Sequence, residues 1–129
     1  MADAPKTKND IDRILAEESR YKHVWLEVED GQSITALING DVGWLMYLRE
    51  EGDSGFSTRN PEYAEAIGDI DYYLDNGQCD EYPARWAYPV ATLRAALYEF
   101  LDTKRIPCCV SWHDDSLQDE PRSPTNWST

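Results

Sequence analysis

The sequence predicts an α+β fold: an antiparallel β-sheet of about five to six strands, with one main helix packed on it at about residues 89–102 and a short N-terminal helix. Three observations predict it. Apolar and polar residues alternate in several short segments. Asp-Gly and Asn-Gly pairs, which favour tight turns, separate these segments. The most regular series of apolar residues at helical spacing lies late in the chain.

The first half of the chain predicts a short helix followed by a three-stranded meander. Residues 10–19 place apolar side chains on one helical face after an acidic or Asn cap. Alternation then predicts three strands, at residues 24–29, 34–38 and 43–49. The turn signals Asp30-Gly31 and Asn39-Gly40 lie between them. Strands joined by such tight turns form an antiparallel meander.

The second half predicts a further hairpin, the main helix and a last strand. Residues 50–60 are rich in Gly, Ser and Asn and predict a loop. A strand at 69–75 and a short edge strand at 78–86 flank the turn signal Asn76-Gly77. Pro89 begins the main helix, because proline suits a first turn. Residues 108–113 predict the last strand, with Cys108 or Cys109 packing within it.

The chain is predicted to form one domain at residues 10–113. Residues 1–9 and 114–129 lack apolar periodicity and are expected to be a flexible N-terminus and a flexible acidic tail rich in Ser and Pro. The N-terminus has no apolar signal segment, and no apolar run is long enough to span a membrane. Three cysteines without a CxxC pattern predict reduced thiols. Together these features favour a cytoplasmic protein.

The charge is strongly negative and concentrated in one part of the chain. The 129 residues include 25 Asp or Glu and 12 Lys or Arg, for a formal net charge of −13. Residues 50–81 contain ten acids and one base, so this segment alone carries −9. A protein that binds nucleic acid or anionic lipid needs a basic face instead. We therefore expect neither nucleic acid nor a membrane as partner, but a basic protein.

Aromatic residues alternate with the acids in this part of the chain and predict a protein-binding surface. Tyr and Trp dominate interface energies, while acids steer a basic partner and select it. Tyr72, Trp44 and Trp112 are instead expected in the core. The predicted contact residues are Asp53, Asp69, Asp71, Tyr73, Asp75, Asp80, Glu81, Tyr82 and Trp86. Asp71, Asp75 and Glu81 are expected to pair with Lys or Arg of the partner, and the three aromatic residues to act as anchors.

Two other functions stay open at this point. Carboxylate pairs such as Asp69/Asp71 and Asp80/Glu81 are compatible with a small carboxylate-dependent hydrolase, which needs two facing acids across a cleft. A generic protein-interaction adaptor is also compatible with the acidic surface. The chain has no P-loop, no GxGxxG pattern and no EF-hand calcium loop, so we expect no cofactor and no metal.

Several short motifs of the chain match a known protein family. The segment DNGQCDEYPA at residues 75–84 resembles a characteristic stretch of the Imm-one family of bacterial polymorphic-toxin immunity proteins. The other matching segments follow in family order, at residues 55–57, 60–61, 88–89, 95–100 and 105–112. The resemblance covers roughly residues 22–112. It departs from the family at Thr103-Lys104, where a Gly is expected to end the helix.

The resemblance implies a non-enzymatic immunity protein, or antitoxin, whose domain spans residues 10–113. Such a protein is made beside a secreted bacterial toxin, which it binds tightly and inhibits. Toxins paired with this family are often nucleic-acid deaminases, which carry a zinc site and a basic substrate surface. We therefore expect the acidic and aromatic surface to cover the basic active-site region of a zinc-dependent deaminase. The family has no established catalytic residues, so the resemblance implies none here.

Overall fold

Helices, a main sheet and a separate hairpin form three stacked layers. The structure is a computed structural model, and it describes residues 7–116. Within this range the helices are α1 (Lys8–Leu15) and α2 (Val90–Thr103). The strands are β1 (Tyr21–Glu27), β2 (Ser33–Asn39), β3 (Val42–Leu48), β4 (Phe56–Arg59), β5 (Asp69–Tyr73), β6 (Cys79–Pro83), β7 (Tyr88–Pro89) and β8 (Ser111–Asp114). The predicted α+β class is confirmed.

The main sheet is antiparallel and contains six strands. Its strand order is β1-β2-β3-β4-β8, and the short strand β7 pairs with β3. Strands β5 and β6 pair with each other in a separate two-stranded sheet. Neither helix of the described range has the length and apolar character needed to cross a membrane.

The main core lies between the helices and the first face of the sheet. Alternation along β1, β2 and β3 turns residues such as Val24, Ile34 and Leu45 toward α2, where they are fully buried. Gly43 lets α2 approach the sheet closely. A Cβ at this position would lie 2.4 Å from Leu93 Cδ1.

The second face of the sheet is covered over one part only. One row of this face runs in register across the first three strands and comprises His23, Leu37 and Trp44. The next row is Trp25, Thr35 and Met46. The β5–β6 hairpin packs over part of this face and builds a second apolar cluster, which comprises Leu37, Trp44, Tyr72 and Trp86. The predicted core positions of Tyr72 and Trp44 are confirmed, and Trp112 is half-buried against the main core.

Several element ends differ from the prediction for local reasons. Helix α1 begins at Lys8 because Thr7 and Asp10 form a reciprocal capping box before it, and the helix ends at Leu15. Strand β8 begins only at Ser111. Cys108 precedes it and is exposed, with its backbone N–H bound to the Glu99 carboxylate, so neither Cys108 nor the exposed Cys109 packs in a strand.

The remaining boundaries concern the hairpin and the chain ends. Strand β6 stops at Pro83, and a short 3-10 helix follows at Ala84–Trp86 where the edge strand was predicted to continue. Helix α2 ends at Thr103, and the next residue, Lys104, caps it in the left-handed conformation (φ 56°, ψ 38°) with its N–H donating to the Phe100 carbonyl. Residues 1–6 and 117–129, which hold most of the predicted flexible ends, lie outside the described residues.

Candidate partner-binding surface

Four of the predicted contact residues share the outward side of the β5–β6 hairpin. Tyr72 is buried against the main sheet, so its neighbours on β5, Asp71 and Tyr73, face away from it. Asp69 and Glu81 lie on the same outward side, because Glu81 is directly opposite Asp71 in the β5–β6 register. These four residues, Asp69, Asp71, Tyr73 and Glu81, are called the acidic face below.

The acidic face places like charges directly opposite each other. A hydrogen bond between the Asp71 and Glu81 carboxyl groups, and the charge of Asp71, raise the pKa of Glu81. Like charges at directly opposed positions of an antiparallel pair destabilise it. Within residues 7–116, no Lys or Arg forms an ion pair with Asp69, Asp71 or Glu81. The repulsion is therefore not offset by the chain's own described cations.

The hairpin is fastened to β1 and β2 by a few side-chain contacts. The Asp75 backbone N–H donates to His23 Nδ1 at 3.0 Å, and the Asn39 side-chain amide donates to the Asp71 carbonyl at 2.9 Å. Tyr73 meets Tyr21 edge to face, with ring centroids 4.6 Å apart. The Asp75 carboxylate, in the turn after β5, stays 84% exposed.

The inward side of the hairpin continues into a stack of aromatic rings. Tyr82 lies flat on Trp44, with centroids 4.2 Å apart and planes 10° apart. Trp86 is 6.0 Å from Tyr82, and the Arg59 guanidinium lies 3.5 Å from the Trp86 ring centroid. Trp86 is only 2% exposed, which corrects the expectation that it anchors a partner by direct contact. It supports Tyr82 from within the core instead.

The other predicted contacts lie beside or apart from the acidic face. The half-buried Asp80 carboxylate accepts hydrogen bonds from Gln78 Nε2 at 2.8 Å and from the Tyr82 hydroxyl at 3.3 Å. Asp53 belongs to the loop between β3 and β4, outside the hairpin. Its carboxylate accepts from the backbone N–H and the guanidinium of Arg49, and this holds its pKa well below the usual range. The Asp53 side chain is 8% exposed, so it closes its own loop rather than extending the acidic face.

A groove that no sequence pattern predicted lies beside the hairpin. It has a volume of about 460 Å³ and lies where the hairpin tip meets the uncovered second face of the sheet. Trp25, which is 42% exposed, forms part of its wall. The full lining is His23, Trp25, Thr35, Leu37, Trp44, Met46, Leu74, Asp75, Asp80 and Tyr82. We call it the aromatic groove. The signal that could have found it is Trp25 itself, which alternates with the buried Val24 and Leu26.

The opposed carboxyl groups of the acidic face do not lie across a cleft. Asp71 and Glu81 approach each other, but they lie on the outward side of the hairpin and do not line the aromatic groove. A carboxylate-dependent hydrolase needs its acids across a cleft that holds the substrate. In the described part of the chain, no group of three or more His, Cys, Asp or Glu side chains is arranged to hold a metal ion.

Comparison with known proteins gives a family assignment. The family model described as "Immunity protein Imm1" matches residues 1–114, including the first 21 residues, which the resemblance noted above does not cover. No curated protein matches the chain. The acidic face and the aromatic groove both lie within the matched range. The chain therefore belongs to the Imm1 family of immunity proteins, which implies a cognate toxin as its partner.

Proposed function

We propose that this immunity protein is a non-enzymatic cytoplasmic inhibitor that covers the basic active-site region of its toxin with the acidic face. The observation that carries the proposal is the outward cluster of Asp69, Asp71 and Glu81, which has no ion-pair partner among the described Lys and Arg residues. Tyr73, 39% exposed beside these acids, provides an aromatic contact.

The charge repulsion within the acidic face favours a basic partner. The opposed carboxyl groups of Asp71 and Glu81 repel each other in the free protein. Lys or Arg side chains of a partner would offset this repulsion on binding. Loss of the repulsion would then contribute part of the binding free energy. Charges of one sign on one face also accelerate association with a partner of opposite sign.

A deaminase that acts on nucleic acid is the toxin we propose. Such an enzyme needs a positive surface for the phosphate backbone and a zinc-activated water for the reaction. An acidic protein surface competes for the same positive surface. The family resemblance favours this class of toxin, and the charge of the acidic face is compatible with it.

The test is a binding measurement with the toxin domain encoded by the adjacent upstream reading frame. We compare wild type with Asp71→Lys/Asp75→Lys and with the matched control Glu17→Lys/Glu18→Lys, which makes the same charge change at exposed positions after α1. Kinetics are recorded by biolayer interferometry at low and high salt.

We expect the Asp71→Lys/Asp75→Lys variant to lose about 100-fold or more in affinity, with slower association and a larger loss at low salt. The control is expected to stay within about threefold of wild type. Equal affinities for wild type and the hairpin variant would reject the acidic face as the contact.

A second measurement tests the toxin class and the mode of inhibition. Deamination of single-stranded DNA and RNA by the toxin domain is followed while the immunity protein is titrated in. We expect complete inhibition near a one-to-one ratio. A toxin that binds but shows no deaminase activity would reject the deaminase proposal and leave the binding proposal standing.

A further inference from the structure

We propose that the aromatic groove receives one arginine side chain of the partner. This inference rests on the proposed function, since it assumes that the partner is a basic protein. It assigns a role to Trp25 and Met46, which lie outside the acidic face. The groove would then fix the partner's orientation, while the acidic face attracts it.

The groove exists because the hairpin covers only part of the second sheet face. The row of His23, Leu37 and Trp44 lies at the hairpin edge, and the row of Trp25, Thr35 and Met46 continues beyond it. The base of the groove is therefore an ordered strand surface rather than a loop. A site built on strands holds its side chains in fixed positions before the partner arrives.

The aromatic walls favour a guanidinium group. Arginine stacks on aromatic faces more readily than lysine, because its charge is spread over a plane that is weakly hydrated. Trp25 is 42% exposed, and the half-buried Tyr82, which also lines the groove, lies flat on the buried Trp44. The adjoining ring in this stack, Trp86, already holds the guanidinium of Arg59 at 3.5 Å. The same cluster thus binds one arginine within the chain.

The charge of the groove is complementary to an arginine. Asp75 and Asp80 both line it, and no Lys or Arg is among its lining residues. The Asp75 carboxylate is 84% exposed, and in the described range its ionisable contact is with His23, 3.7 Å away. A guanidinium between aromatic walls and carboxylates can stack and form charge-assisted hydrogen bonds at once. An uncharged or anionic side chain would leave the carboxylates without a counter-charge.

A direct test uses small blocked peptides and no toxin. Acetyl-Gly-Arg-Gly-amide is titrated into the full chain while the Trp25 indole N–H signal is followed by NMR. Parallel titrations use the same peptide with citrulline, which keeps the shape without the charge, and with lysine. We expect saturable shifts with the arginine peptide in the millimolar range, and binding at least about tenfold weaker with citrulline.

Two double variants locate the binding. Asp75→Asn/Asp80→Asn neutralises the groove while keeping side-chain size and the acceptor for the Tyr82 hydroxyl. Asp69→Asn/Glu81→Gln makes the same charge change on the acidic face and is the matched control. We expect the groove variant to lose arginine-peptide binding and the control to stay within about twofold. Absence of an arginine-induced Trp25 shift, equal binding of the lysine or citrulline peptide, or equal binding by both variants would overturn the inference.

A measurement with the toxin separates this inference from the proposed function. Trp25→Gln changes a partly exposed side chain, and its fold is checked by circular dichroism. We expect it to weaken toxin binding by about tenfold or more, mainly through faster dissociation. If wild type binds the toxin and Trp25→Gln binds equally well, the groove inference fails while the proposed function stands. If wild type does not bind the toxin, the proposed function fails, and the peptide titration still decides whether the groove takes arginine.

Discussion

Replacing Lys104 with glycine should stabilise the protein. Lys104 follows α2 with φ 56° and ψ 38°, and its N–H caps the helix by donating to the Phe100 carbonyl. A non-glycine residue pays about 1–2 kcal/mol for the left-handed conformation, because its Cβ approaches the following carbonyl. Glycine avoids this cost, but it increases the conformational entropy of the unfolded chain, which lowers the stability by about 0.4–1 kcal/mol. The net expectation is a gain of about 0.5–1 kcal/mol in the free energy of unfolding.

Thermal and urea unfolding measure this gain. For a domain of this size, it corresponds to an increase of about 2–4 °C in Tm. Lys104→Ala is the control, because it removes the same amine, including its hydrogen bond to the Leu101 carbonyl, and keeps the strain. We expect Lys104→Ala to be no more stable than wild type, and toxin binding to be unchanged in both variants. A glycine variant no more stable than the alanine variant would show that backbone strain at position 104 contributes nothing to stability.

Two further predictions concern the acidic face and the helix contact. Glu81→Gln should raise Tm at pH 7 by removing its repulsion with Asp71. Folding raises the pKa of Glu81, so wild type gains stability as pH falls through that pKa. The difference in Tm between Glu81→Gln and wild type should therefore shrink at acidic pH. A difference in Tm that stays constant with pH would contradict this prediction. Gly43→Ala should lower the free energy of unfolding, measured in urea, by about 2 kcal/mol or more. The added Cβ would lie 2.4 Å from Leu93 Cδ1 and 2.5 Å from the Leu37 carbonyl oxygen. A decrease below about 0.5 kcal/mol would contradict this prediction.

Local patterns predicted most of the main sheet. Alternation along β1 and β2 is a property of successive residues, so the inward positions of Val24 and Ile34 follow from sequence alone. The turn signals between these strands, Asp30-Gly31 and Asn39-Gly40, are equally local. Pro89 also gave the start of α2 within one residue.

The stacking of layers could not be predicted in the same way. Alternation says which residues of β5 and β6 share a side, but it does not say what that side packs against. Trp86 is buried because the hairpin lies over Trp44 and because Arg59 approaches from β4, both of which are long-range contacts. The aromatic groove arises from the same stacking, so neither it nor the burial of Trp86 follows from a sequence window.

The internal role of Asp53 could have been predicted from the local sequence. Asp53 follows Arg49 by four residues across a loop containing Gly52, and the two side chains form a closed pair. An acid with a base so near in sequence is a weaker candidate for partner contact than one without. Asp69 and Asp71 have no Lys or Arg within four residues, and their outward placement agrees with that distinction.

The separate pairing of β5 with β6 has a consequence for divergence among related proteins. Among residues 7–116, the hairpin shares no strand pairing with the main sheet, and the outward side chains at positions 69, 71 and 81 belong to neither apolar cluster. Replacing them changes charge and shape at the surface without altering the packing of α2 on the sheet. These positions can therefore change while the scaffold persists, and under the proposed function a change of their charge would change which toxin the chain accepts.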